Sequence, residues 1–312
     1  MKRVCYPINI DRSLFNTNNI HQYDPYMIDE NDILIIDKSW WKTLSDYAKE
    51  LMTSRLKNYS FKIVPNVPTP HDVKSDDDRR LIIVYQTYQD SFDYHVWGRV
   101  ICPPGVKMIR VLDSEKKFFI NKDLYGLDNL KSRISENLDG KEYFLRTSST
   151  SGKNDKYVRP FTNAEDILSH LFSVKEFYYR EFNLDKETYL ILIPWNSNIT
   201  ARNEFRIFVQ DRKICGASPQ KWWECHNYTE DELDIIESTI LDAKILKQSP
   251  YDTFIADVYI DFDKKICNLI EINCTGSHSG AGSSLFNWLH DTEILSGLNP
   301  PELRYISLTS YG

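Results

Sequence analysis

The period of the hydrophobic pattern changes repeatedly between residues 106 and 312, and each change marks an element. Val106 to Leu112 and Glu142 to Thr147 read as strands, with a short helix at Leu127 to Leu138 between them. Thr162 with Glu165 three residues on spells a capping box, and Ile167, Leu168, Leu171 and Phe172 line one face of the helix that follows. Tyr189-Leu-Ile-Leu-Ile-Pro-Trp195 is a continuous apolar run, hence a buried strand. Asn203-Glu-Phe-Arg-Ile-Phe-Val209 alternates with period two, which puts Glu204, Arg206 and Phe208 on one face and Phe205, Ile207 and Val209 in the core. A second capping box, Thr229 with Glu232, opens a helix to about Leu246. A hairpin follows, Phe254 to Ile260 returning as Asn268 to Asn273.

The first hundred residues signal less. A possible Ser39 N-cap precedes Trp40, Leu44, Tyr47 and Leu51 at helical spacing, so residues 39–57 predict one amphipathic helix. Pro65, Pro68 and Pro70, then Lys74-Ser-Asp-Asp-Asp-Arg-Arg80, read as an exposed linker before the strand-like Leu81-Ile-Ile-Val-Tyr85. Pro103-Pro-Gly105 marks a boundary. The division expected is an N-terminal α/β region at 1–105, a smaller lobe at 106–190 and a larger lobe at 191–312. Antiparallel strand pairs with helices to one side imply an α+β fold. With no GxGxxG and no GxxxxGK[ST], neither a Rossmann nor a Walker-type nucleotide site is supported.

A chain of 312 residues that is 41% hydrophobic can bury a core of two or three lobes. Its formal charge of −7 gives no global basic field for nucleic acid or anionic membranes. Apolar runs such as Ile33 to Ile36 fall far short of the ~20 residues a membrane span needs. A soluble protein of the cytoplasm is expected. The six cysteines show no CxxC, which fits reduced thiols, and Cys274 reads as a small buried apolar residue.

The chemistry concentrates in three segments. A hairpin loop of Asp263 to Lys265 would pair Phe262 with Ile266 and, in the same register, Asp257 with Glu271, with Asn273 two residues along on the same face. Directly opposed carboxylates, with Cβ atoms roughly 5 Å apart, destabilise a sheet unless a cation lies between them. Two carboxylates and an amide oxygen suit Mg²⁺. A two-residue turn would instead shift the register by one and send the acids to opposite faces. The second segment, Arg146-Thr-Ser-Ser-Thr-Ser-Gly-Lys153, offers hydroxyls, backbone N–H groups and two cations to phosphate oxygens, or is a flexible loop. The third, Glu204 and Arg206 on one strand face, is a structural ion pair or part of a phosphate and metal pocket. ATP with Mg²⁺ satisfies all three.

At this point the chain resembles the ATP-grasp proteins. More narrowly it resembles the cell division cycle protein 123 family, through Phe144-Leu-Arg146 with Ser151-Gly-Lys153, Leu190-Ile-Leu-Ile-Pro-Trp195, Glu204-Phe-Arg206-Ile-Phe-Val209, Ala217-Ser-Pro-Gln220, Asp257-Val-Tyr259, and Glu271-Ile-Asn273 followed by Leu285-Phe-Asn-Trp288. The likeness covers roughly residues 140–290. It implies two α+β lobes enclosing a nucleotide cleft. Arg146, Ser148, Ser151 and Lys153 would lie at the phosphates and Ile191, Leu192, Ile193 and Trp195 at the adenine. Glu204 and Arg206 would face the terminal phosphates, Arg206 and Arg146 stabilising developing charge in any transfer, and Asp257, Glu271 and Asn273 would hold magnesium. In this family the resemblance implies an ATP-dependent assembly factor that binds the γ subunit of translation initiation factor 2. Ordinary ATP-grasp chemistry implies instead a ligase acting on a protein, peptide or RNA-end acceptor, and a non-catalytic interaction protein is a third reading. The chain departs from the family's usual pattern at Ile193-Pro194, at Glu271 and at Cys274-Thr-Gly276.

Overall fold

The computed structural model describes residues 1–10, 15, 33–37, 60–64, 81–83, 92–101, 103–121, 123, 126–149, 159–173, 187–275, 281–288 and 290–308. The helix expected at 39–57, the linker at 74–80, and Ser151 and Lys153 lie outside them. Two compact units result. One comprises Met1–Ser91, Ala201–Lys247 and Tyr251–Gly312; the other comprises Phe92–Thr200 with Gln248–Pro250.

In the first unit, β1 (Lys2–Pro7) belongs to a large sheet completed much later in the chain. Next come β2 (Ile33–Asp37), β3 (Ser60–Val64) and β4 (Leu81–Ile83), which form a small parallel sheet in the order β3-β2-β4.

The second unit opens with α1 (Tyr94–Trp97), β5 (Lys107–Val111), α2 (Asp113–Ile120) and α3 (Asp128–Asn137). It closes with β6 (Tyr143–Thr147), α4 (Ala164–Ser173) and β7 (Thr188–Pro194). Its antiparallel sheet runs β5-β7-β6. Ile109, Val111, Leu145, Leu190 and Leu192 of the strands pack with Phe119, Leu130, Ile134, Ile167 and Leu171 of the helices in one buried cluster. At about 1.5–3 kcal/mol per buried side chain, this cluster is the main force holding the unit together. α4 begins one residue later than its sequence predicts. The Asp166 amide donates to Asn163 Oδ1 at 2.8 Å, and Asn163 Nδ2 returns a bond to Asp166 Oδ2 at 3.1 Å. Asn163 therefore does the capping expected of Thr162, because its short amide reaches both groups.

The first unit resumes with β8 (Glu204–Gln210), β9 (Lys213–Pro219), α5 (Glu230–Leu241), the single turn α6 (Ile245–Gln248), β10 (Phe254–Asp261), β11 (Ile266–Asn273), α7 (Thr292–Leu295) and β12 (Glu302–Ser307). The six strands lie in the order β1-β12-β9-β8-β10-β11. The Thr229–Glu232 capping box is present, the Thr229 amide donating to Glu232 Oε2 at 2.8 Å and the Glu232 amide to Thr229 Oγ1 at 3.2 Å. α5 ends at Leu241, short of the expected Leu246, which falls in α6.

Both faces of this sheet are covered. Phe205, Ile207, Val209, Ala256, Val258, Ile260 and Ile272 are buried on one side, and α5 packs against β11. On the other, Phe208 and Ile255 pack with Phe286 and Leu295. The Phe286 ring lies so close to Gly216 that a Cβ there would come within 2.6 Å of it. Arg304 anchors this covering segment, donating to Asp291 Oδ1 and Oδ2 at 2.8 and 2.7 Å and to the Leu285 carbonyl at 3.0 Å.

The β10–β11 turn differs from its expectation. Asp261 pairs with Ile266, so the loop holds four residues rather than Asp263 to Lys265, and Phe262 drops out of the ladder. Asp261 causes this: its Oδ1 accepts from the Lys264 amide at 3.0 Å and its Oδ2 from Lys264 Nζ at 2.9 Å, while Lys265 takes a φ of 52°. An even-length loop alone would put Asp257 opposite Ile270. Instead β11 bulges between Leu269 and Glu271, one residue on β10 being matched by two, and Asp257 pairs with Glu271 after all.

Candidate functional site

Four strands contribute one row of polar side chains across the large sheet. Ser218 of β9 pairs with Arg206 of β8, Arg206 with Asp257 of β10, and Asp257 with Glu271 of β11. Directly paired residues project to the same side. One step along that face, Gly216, Phe208, Ile255 and Asn273 make the next row, which brings Asn273 beside Glu271 as expected.

Arg206 holds the row together. Its Nε donates to Asp257 Oδ1 and its Nη2 to Asp257 Oδ2, both at 2.8 Å, and its Nη1 donates to the Gly282 carbonyl at 3.3 Å. Both partners are almost fully enclosed, Arg206 at 4% and Asp257 at 1% exposure, so the bidentate geometry is what makes their burial tolerable. Burial pulls the guanidinium pKa down, but Asp257 first, then Glu271 and Glu204, more than offset it, and Arg206 is held above its ordinary value. Arg206 thus supplies a built-in cation beside the opposed acids. Gln220 adds a longer bond from Nε2 to Asp257 Oδ2 at 3.4 Å. Sequence reasoning singled out neither Ser218 nor Gln220 as a site residue. Both stand in the Ala217-Ser-Pro-Gln220 block, and the signal that could have found them was two polar residues ending an otherwise apolar strand.

Does the row suit a metal ion? Among the described residues no group of three or more His, Cys, Asp or Glu side chains is placed to hold one. Yet Asp257, Glu271 and Glu204 all act on Arg206, so the row is rich in carboxylates. Two carboxylates and the Asn273 amide fit Mg²⁺, which takes one or two carboxylates and draws its other ligands from water and phosphate. The residues fit a metal arriving with phosphates and do not make a closed cage.

In the other unit, Arg146 is 4% exposed, with its guanidinium 5.1 Å from the centre of the Tyr94 ring and its Nε 3.3 Å from the Thr147 carbonyl. Ser148 is fully buried: its Oγ accepts from the Tyr189 amide at 2.9 Å and its carbonyl from the Tyr94 amide at 2.7 Å. These bonds tie the end of β6 to β7 and α1. Ile191 and Leu192 lie in mid-ladder, paired with both β5 and β6, whereas Ile193 and Pro194 pair with β6 alone. The Trp195 amide donates to the Glu142 carbonyl at 2.8 Å. Among the thiols, Cys274 is buried, as expected, and desolvation pushes Cys267 up to about 12.

Comparison with known proteins agrees with the sequence resemblance. The D123 family model matches residues 162–311. The structure of Cdc123 from Schizosaccharomyces pombe superposes with a TM-score of 0.55 at 22% identity, covering 69% of this chain and 95% of that one. Its C-terminally truncated form gives the same TM-score and identity over 69% and 94%. D-alanine–D-alanine ligase from Bacillus anthracis complexed with ATP aligns over 86% of this chain and 94% of its own, at a TM-score of 0.37 and 12% identity. No curated protein sequence matches significantly. The mixed α+β class expected from the sequence is the observed one, and the fold is similar to that of Cdc123.

Proposed function

We propose, for a D123-family chain matched over residues 162–311, that it binds ATP with Mg²⁺ and serves as an ATP-dependent assembly factor for translation initiation factor 2. The observation that carries the nucleotide reading is the row Arg206–Asp257–Glu271, whose two opposed carboxylates and adjacent Asn273 suit a divalent ion. Bound there, magnesium would neutralise phosphate charge. Asp257, Glu271 and Asn273 are its ligands in this reading. Arg206, oriented by Asp257, faces the terminal phosphates, with Glu204 setting the charge around it. On the Phe92–Thr200 unit the reading gives Arg146 a phosphate contact and the stretch from Ile193 to Trp195 the base, since the ladder already engages Ile191 and Leu192 on both sides. Ser148 supports the end of β6 from within, and the reading assigns Ser151 and Lys153 to the phosphates as well. The assembly role rests on family resemblance, with the γ subunit as partner.

Thermal unfolding tests the nucleotide site. ATP at a hundredfold excess over Kd should stabilise the protein by about 2.7 kcal/mol in the presence of Mg²⁺ and not in its absence. Glu271→Ala should abolish the shift; a variant that keeps it removes Glu271 from the site. Incubation with labelled ATP separates the roles. Tight binding without turnover, together with capture of purified γ subunit, supports the assembly factor, and release of ADP or AMP only with an acceptor supports a ligase.

A further inference from the structure

On the sheet face that carries Arg206, the covering segment makes two contacts whose positions are fixed. At one end the Gly282 carbonyl accepts from Arg206 Nη1; at the other, the Phe286 ring lies on Gly216 and meets Phe208 edge-on, ring centres 5.1 Å apart. Ser284 is midway between these contacts along the segment. Ser218 is one alternation from Gly216 along β9 and directly beside Arg206. One serine, Ser218, thus lies on the sheet beside Arg206, and a second, Ser284, belongs to the covering segment between the two contacts. Both hydroxyls are buried, Ser218 at 0% and Ser284 at 8% exposure, and neither Oγ has a hydrogen-bond partner.

Buried hydroxyls are seldom left unmatched, because removal from water without a replacement bond is unfavourable. Ser284 also holds a left-handed φ of 52°, a conformation that a non-glycine residue adopts only when its surroundings require it. Arg206 has capacity as well. Three of its five N–H groups go to Asp257 and Gly282, which leaves two. An unpartnered hydroxyl beside two guanidinium N–H groups, with a second in the covering segment and a row suited to a divalent ion alongside, has the chemistry of an oxyanion site.

Resting on the ATP reading, we propose that Ser218 and Ser284, with the remaining N–H groups of Arg206, receive the terminal phosphoryl group of the nucleotide. The two serines thereby distinguish the triphosphate from the diphosphate. A phosphoryl oxygen accepts what the hydroxyls cannot donate elsewhere, and the metal ligands Asp257 and Glu271 are left to the ion.

The test compares Mg·ATP with Mg·ADP on Ser218→Ala and Ser284→Ala by calorimetric titration, alongside thermal unfolding of each unliganded variant. Each substitution should weaken ATP binding about tenfold, the loss of one hydrogen bond to a charged group, and leave ADP binding unchanged. The unliganded variants should unfold no lower than wild type, because the deleted groups had no partner. ATP binding equal to wild type in both variants overturns the proposal while the nucleotide reading stands. So does a parallel loss of ATP and ADP affinity accompanied by a lower unfolding temperature, which would make the hydroxyls part of the fold. Failure of wild type to bind Mg·ATP at all removes the nucleotide reading, and this inference with it.

Discussion

Asp257 stands opposite Glu271 because Ile270 is bulged out of the β10–β11 ladder. From the turn, the ladder pairs Asp261 with Ile266 and runs in that register to Val258 and Leu269, after which the bulge advances β11 by one. Deleting Ile270 would let the turn's register continue without interruption and would still put Glu271 opposite Asp257 and Asn273 opposite Ile255. The deletion variant should therefore fold and keep its Mg·ATP-dependent thermal shift. A folded variant without that shift would mean that the local twist of the bulge, rather than the pairing, aims the acids.

Arg206 and Asp257 predict a strongly non-additive mutant cycle. Arg206→Ala leaves a carboxylate at 1% exposure without its bidentate partner, and a loss of about 3–5 kcal/mol is expected from urea unfolding. Asp257→Ala should cost a similar amount for the converse reason. The double variant Arg206→Met with Asp257→Leu removes both charges and fills the space, so its loss should be well below the sum of the single ones. Additive losses would show that the two charges do not depend on each other.

Acid should weaken the first unit through His226. Burial pulls this imidazole below its ordinary value, ahead of an opposing backbone bond at Lys221, and its Nε2 is buried without a partner. The unfolded chain then takes up its proton first, at about pH 6.5, while the folded chain resists until lower pH. Stability should be level above that value and decline as pH falls below it toward the folded pKa. His226→Asn should flatten this part of a urea-midpoint profile; an unchanged slope would assign the decline to other groups.

Much of this architecture is legible in the sequence, and what is not has a common physical cause. β7 and β8 announce themselves through an apolar run and a two-residue alternation, and the cap of α5 is local chemistry between Thr229 and Glu232. β9 does not, because Gly216, Ser218 and Pro219 are poor strand formers that owe their conformation to β8 on one side and the Phe286 ring above. β1 and β12 are short and charged, and pair across 300 positions, a relation no local pattern carries. The acidic pair was readable, but through a turn that does not exist. Register reasoning from the loop could not include a bulge, and the Asp261 side chain that closes the longer loop reads equally well as an exposed surface acid. Nor could the sequence show that Arg206 turns to Asp257 on the neighbouring strand, when Glu204 lies nearer along the chain.

The pairing of β1 with β12 bears on how the molecule is made. Residues 2–7 find their partner only after residues 302–307 have left the ribosome, and the Phe92–Thr200 unit is synthesised entirely between them. Its local contacts can form while the first unit still lacks its inner strand, since β12 also joins β1 to β9. Until β12 is in place, β1 and β9 each expose an unpaired strand edge, the state in which chaperone engagement matters most.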